Sequence, residues 1–231
     1  MCNTHFPGLQ HDIRMLIIFS QYCGFLVGRA HSPRDDAVQM LEATVMRLQD
    51  IAQSGNSSAE IDTIKIHHII VGYTKNGCTE KAHDQLMELA SLYQESRRQI
   101  MRPDAKSFQS VLTAWSRHPN AKQAADLAES LMSRLWSLSK FDERIEPNVF
   151  MYNSLLFCFK NAGQPRRAQT LLGDMKARYK KFRTIPPNQT SYHAVLEAWE
   201  NSKDKAKHTR IRRLTDEYRD LFGQWPPQFR R

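Results

Sequence analysis

The chain has 231 residues, 41% hydrophobic and 25% charged, with a formal net charge of +9, which is ordinary for a soluble helical protein. Four scattered cysteines, at 2, 23, 78 and 158, form no Cys-x-x-Cys pair. That argues against a zinc site or a disulfide framework and fits a reducing compartment. The charge is one-sided: residues 1–104 hold 10 Lys/Arg and 12 Asp/Glu, a net of −2, whereas residues 105–231 hold 23 and 12, a net of +11.

The first 62 residues read as an incomplete N-terminal repeat or a targeting remnant, followed by a linker. Met15 to Val27 is apolar but, at about 13 residues, too short to span a membrane. It reads either as the first helix of a partial repeat or as a signal-peptide core, and Asp12 with no clean small-x-small cleavage site weakens the latter. Pro33-Arg34-Asp35-Asp36 opens a helix, since Pro suits the first turn and carboxylates favour the positive end of the helix dipole. Ala37, Met40, Leu41, Val45 and Leu48 give that helix an apolar face, and Gln53 to Ala59 is a polar loop. The glycosylation-type triplets at Asn56 and Asn188 are read as chance, because nothing else points to secretion.

From residue 63 the pattern repeats. A first unit, 63–104, carries Ile66, Ile69, Ile70 and Tyr73 at helical spacing, then Asn76-Gly77, then Ala82, Leu86, Leu89 and Tyr93. A second unit, 105–148, follows Pro103-Asp104 with Phe108, Val111, Leu112 and Trp115, breaks at His118-Pro119-Asn120, and resumes with Ala124, Leu127, Leu131 and Leu135. The third, 149–188, follows Pro147-Asn148 with Tyr152, Leu155, Leu156 and Phe159. Asn161-Ala162-Gly163 ends its first helix, Gly being suited to a left-handed C-cap, and Pro165 starts a second helix with Ala168, Leu171, Leu172 and Met175. The last unit, 189–231 with its tail, follows Pro187-Asn188 with Tyr192, Val195, Leu196 and Trp199 and a basic helix from about Lys203 to Phe222. Gly223 and Pro226-Pro227 stop that helix. The prolines at 103, 147 and 187 are 44 and then 40 residues apart, and self-similarity at such a period means an all-α solenoid of stacked helical hairpins. Tyr73, Trp115, Phe159 and Trp199 fall at one recurring place and read as core.

Pro147-Asn-Val-Phe-Met-Tyr-Asn-Ser-Leu-Leu156, then Lys160-Asn-Ala-Gly163, Ala168 and Met175, closely resembles the pentatricopeptide repeat. The likeness extends over roughly 60–231. The tetratricopeptide signature of Trp, Leu, Gly and Tyr in the first helix appears in no copy. The units depart from the family's length of about 35 residues by extra residues near Leu138–Arg144 and Arg178–Thr184. The resemblance implies a right-handed, tetratricopeptide-like α-α superhelix that binds single-stranded RNA in a mitochondrion or plastid, about one base per repeat. No transit peptide is evident. The one-sided basic charge fits a nucleic-acid partner, although helix surfaces are also often basic for solubility. The alternative is a protein-interaction scaffold within an organellar RNA-processing or ribosomal complex.

The resemblance also implies which residues would meet a base: the one after the first-helix aromatic, and the one after the Pro that closes the unit. These pairs are His67 with Asp104, Gln109 with Asn148, and Asn153 with Asn188; His193 belongs to the last unit without a placed partner. Asn153 with Asn188 is a usual family pair and implies a pyrimidine, cytosine ahead of uracil, whereas the other two pairs are unusual. A third place, which in the family sandwiches the base with an apolar side chain, holds Ile64, Lys106, Phe150 and Thr190, of which Ile64 and Phe150 suit the role. Asn148 and Asn188 are equally well placed to cap helices. Adjacent His67 and His68 diverge by about 100° on a helix and cannot share a metal. No nucleophile with a base, no phosphate loop and no metal signature is legible, so neither an enzyme, a cofactor nor a small-molecule substrate is expected.

Overall fold

The computed structural model describes residue 43 and residues 63–96 and 102–227. The expectations for Met15–Val27, for the rest of the helix after Pro33 and for the loop at 53–59 lie outside the described residues. Those residues form eight α-helices and no strand: α1 (Thr63–Lys75), α2 (Thr79–Ser96), α3 (Ala105–Trp115), α4 (Ala121–Ser139), α5 (Val149–Asn161), α6 (Pro165–Phe182), α7 (Gln189–Glu200) and α8 (Lys207–Phe222). They fall into two compact units, Met1–Val111 and Leu112–Arg231, with the division inside α3.

In the first unit α1 and α2 form a hairpin. Ile69, Ile70 and Tyr73 of α1 and Ala82, Leu86, Leu89, Ala90 and Tyr93 of α2 are buried, which is the face their spacing predicts. The turn between them closes by Cys78 N–H donating to the Tyr73 carbonyl at 2.9 Å, with Gly77 at φ +76°. That is a Schellman closure, and its positive φ favours glycine. The same closure recurs in the second unit between α5 and α6, where Gln164 N–H donates to the Phe159 carbonyl at 2.9 Å and Gly163 sits at φ +66°.

In the second unit α5 packs against α4, α6 and α7, and α7 packs against α5, α6 and α8. Tyr152, Leu155, Leu156 and Phe159 of α5, and Tyr192, Val195, Leu196 and Trp199 of α7, are all buried. Leu112 and Trp115 at the end of α3 are buried as well. Tyr73, Trp115, Phe159 and Trp199 are therefore core residues, as their recurring place predicts. On α4 the buried line runs through Ala124, Ala128, Leu131 and Leu135, while Leu127 is only half-buried at its edge.

Two boundaries differ from the sequence reading, those of α3 and α8. α3 ends at Trp115 and not at His118–Asn120, and Asn120 instead caps α4 by accepting from Gln123 N–H at 3.3 Å. The extra residues at Leu138–Arg144 lie where the sequence put them, finishing α4 and entering a 3-10 turn at Glu143–Ile145, capped by Asp142. α8 begins at Lys207, four residues later than expected, because Asp204 accepts from Ala206 N–H at 2.9 Å and holds a turn there. Arg178 to Phe182, in contrast, simply prolongs α6 up to a left-handed cap at Arg183.

Candidate nucleic-acid interface

The expected reading residues occupy the starts of first helices, where capping chemistry dictates the backbone. Asn188 is the N-cap of α7: its Oδ1 accepts from Ser191 N–H at 3.0 Å, while Ser191 Oγ accepts from Asn188 N–H at 3.2 Å. This is a reciprocal capping box. Asn148 caps α5 in the simpler way, accepting from Met151 N–H at 3.1 Å. The capping reading of both asparagines therefore holds, and for Asn188 it coexists with a second role.

Asn153 and Asn188, 35 residues apart, meet. Asn153 Nδ2 donates to Asn188 Oδ1 at 3.2 Å, and Ser191 Oγ donates to Asn153 Oδ1 at 2.7 Å. Asn153 is 5% exposed, so most of its carboxamide is spent inside the chain, whereas Asn188 is half-buried. Phe150 precedes Asn153 by three residues on the same side of α5 and is 63% exposed. A large apolar side chain so open to solvent offers a face on which a base can stack.

His67 and Asp104 of the first unit meet in the same fashion. His67 Nδ1 lies 3.6 Å from Asp104 Oδ1 and 2.9 Å from Ser107 Oγ, and Asp104 accepts from Ser107 N–H at 2.7 Å. Burial alone would raise the Asp104 carboxyl, but the hydrogen bonds from His67 and Ser107 outweigh it and hold the group at about 2. Gln109 is half-buried and belongs to the first unit, while Asn148 belongs to the second. His193 is half-buried, stacked on Tyr218 with ring centroids 5.3 Å apart and its Nε2 3.2 Å from Tyr218 Oη. Burial lowers its pKa against the opposing pull of Glu197, so the neutral ring is favoured. Ile64 lies in the first turn of α1. Lys106 and Thr190 are exposed.

Sequence reasoning missed Ser107 and Ser191. Both stand three residues after a capping residue, in Asp104-x-x-Ser107 and Asn188-x-x-Ser191. That interval is the capping-box spacing, and it was a signal available without the structure.

Part of the basic charge is neutralised within the second unit. Lys160 pairs with Glu197 at 3.0 Å, Arg166 with Asp204 at 2.8 Å, Lys176 with Glu217, and Arg167 with both Asp126 and Glu129. Lys180, Lys181, Arg183, Arg212 and Arg213 are exposed, and among the described residues no carboxylate lies within ion-pairing distance of them. Among the described residues no group of three or more His, Cys, Asp or Glu could hold a metal ion, and no helix is long and apolar enough to cross a membrane.

Helix pairs closed by glycine turns, with capped first helices that bring residues of consecutive copies together, define a helical-repeat protein. Residues 141–202, which contain α5, α6 and α7, match the model of the pentatricopeptide repeat domain. The repeat that the sequence resembles is thus present in this chain, across the segment that holds Asn153, Asn188 and Phe150. Proteins built from this repeat are generally non-catalytic binders. Among curated proteins nothing matches the chain.

Proposed function

We propose that this protein binds single-stranded RNA in the RNA metabolism of a mitochondrion or plastid, without catalysis of its own. The hairpins would stack as a right-handed superhelix with units at 63–104, 105–148, 149–188 and 189–231, each facing about one base. The observation that carries this reading is the contact of Asn153 with Asn188 across 35 residues of sequence, within the segment matching the pentatricopeptide repeat. Two side chains that the resemblance pairs for base reading touch, and the exposed Phe150 stands one turn away. The exposed bases Lys180, Lys181, Arg183, Arg212 and Arg213 supply charge for phosphates. His67 with Asp104 forms a second such pair, while His193, held against Tyr218, is a poor reader in this conformation.

The test is binding of short single-stranded RNAs across a salt series. Replacing Lys180, Lys181 and Arg183 by Ala is expected to weaken all sequences alike and flatten the salt slope, because phosphate contacts release counterions. Asn153→Ala is expected to relax preference at one base by about 1–3 kcal/mol. Absence of binding to any single strand at low salt would refute the reading and leave a protein scaffold.

A further inference from the structure

Ser107 and Ser191 complete the same three-residue arrangement twice. In each case a serine three residues after the closing residue touches both members of the pair. Ser191 bonds Asn188 and Asn153, and Ser107 bonds Asp104 and His67. Both serines are fully buried, at 0% exposure. Between these two positions along the chain the equivalent residue is Met151, which caps onto Asn148 through its backbone but has no hydroxyl to offer. The clamp is therefore not a necessary consequence of helix capping.

We propose that Ser191 is a positioning residue that sets base preference at Asn153 and Asn188, by engaging both carboxamide oxygens so that Asn188 Nδ2 and the second N–H of Asn153 stay available. The proposal rests on the RNA reading above and adds the reason for its selectivity. A backbone N–H can only donate, so the Asn188 atom 3.0 Å from Ser191 N is the oxygen. That places Asn188 Nδ2 on the other side. Asn153 faces the same oxygen at 3.2 Å, and only its Nδ2 can do so without two oxygens opposing each other. Asn153 Oδ1 then accepts the Ser191 hydroxyl proton at 2.7 Å, and the hydroxyl oxygen in turn accepts from Asn188 N–H. Every bond has one sense, and both side-chain oxygens are occupied.

What remains unengaged is chiefly donors, since Asn188 Oδ1 accepts twice and the buried Asn153 Oδ1 accepts once. Asn188 keeps two N–H groups and Asn153 keeps one, and among the described residues no acceptor takes up Asn188 Nδ2. Two neighbouring donors match a base edge with two neighbouring acceptors. Cytosine presents O2 and N3 in that way on its Watson–Crick edge, whereas uracil interrupts that edge with N3–H and each purine sets a donor beside its acceptor there; guanine offers two adjacent acceptors, N7 and O6, only on its other edge.

The test uses the full chain. The wild type is expected to bind an RNA with cytosine at the read position roughly tenfold tighter than one with uracil, within the range for one good base contact. Ser191→Ala, which frees Asn153 to rotate, is expected to bring that ratio to within about twofold with the salt slope unchanged. Ser191→Thr, which keeps the hydroxyl, is expected to restore it. A ratio unchanged in Ser191→Ala overturns the positioning role. A wild type that binds RNA without preference overturns base reading at this position, which is a separate failure. Hydrogen exchange of the side-chain amides, followed by NMR on wild-type protein, needs neither RNA nor a variant. A protected Asn153 Nδ2 proton, the one donated to Asn188, beside rapidly exchanging Asn188 Nδ2 protons supports the orientation, and equal exchange overturns it.

Discussion

Phe159→Ala tests the core on which the candidate interface rests. The ring is 1% exposed, on a helix flanked by α4, α6 and α7. Truncating a buried Phe costs about 3–5 kcal/mol, from lost transfer free energy plus the cavity left behind. Phe159 has a second role, because the Arg167 guanidinium lies 4.5 Å from its ring centroid. Arg167 in turn reaches Asp126 and Glu129 of α4 and Gln164 at the start of its own helix. The carboxylates are half or more exposed, so those ion pairs contribute at most ~1 kcal/mol, and the cation–ring contact adds ~0.5–2 kcal/mol. Urea unfolding followed by circular dichroism is expected to show a loss of about 3–5 kcal/mol for Phe159→Ala. Phe159→Leu, which keeps much of the apolar volume, is expected to lose about 1.5 kcal/mol or less for packing plus the ring contact. A cycle with Arg167→Ala isolates the coupling, expected at ~0.5–2 kcal/mol. A loss below about 1 kcal/mol for Phe159→Ala would refute the assignment of this side chain to the core.

Two further predictions concern titrating groups. Asp104 has a folded pKa of about 2, below its unfolded value of 3.8, so its stabilisation is present above about pH 4 and is lost as pH falls toward 2. The stability gap between wild type and Asp104→Asn is therefore expected to narrow between pH 7 and pH 2.5 in denaturation curves, and a gap independent of pH would count against the pairing with His67 and Ser107. Burial pushes the Cys158 thiol up to about 12, so iodoacetamide at pH 8 is expected to spare Cys158 in the native protein and to modify it after unfolding, as read by peptide mapping. Rapid native labelling would show that α5 opens locally.

The apolar stripes at 152, 155, 156 and 159, and their copies after Pro103 and Pro187, determined the helices and their buried faces. Helical periodicity is local, and a stripe that must be buried can be read from spacing alone. Glycine at 77 and 163 was legible for the same reason, since only the backbone of that residue decides the turn. Helix ends were less legible: Asp204 delays α8 through one hydrogen bond, which composition does not reveal. The pairs Asn153 with Asn188 and His67 with Asp104 were marked by resemblance, but their state was decided only by tertiary structure. Contact across 35 residues depends on how helices pack, and the direction of each amide depends on which neighbour must donate. His193 occupies the same sequence place as Asn153, yet Tyr218 of the following helix takes its ring. Residue type and register along one helix come from the sequence, whereas what a side chain finally bonds to is set by the helix packed against it.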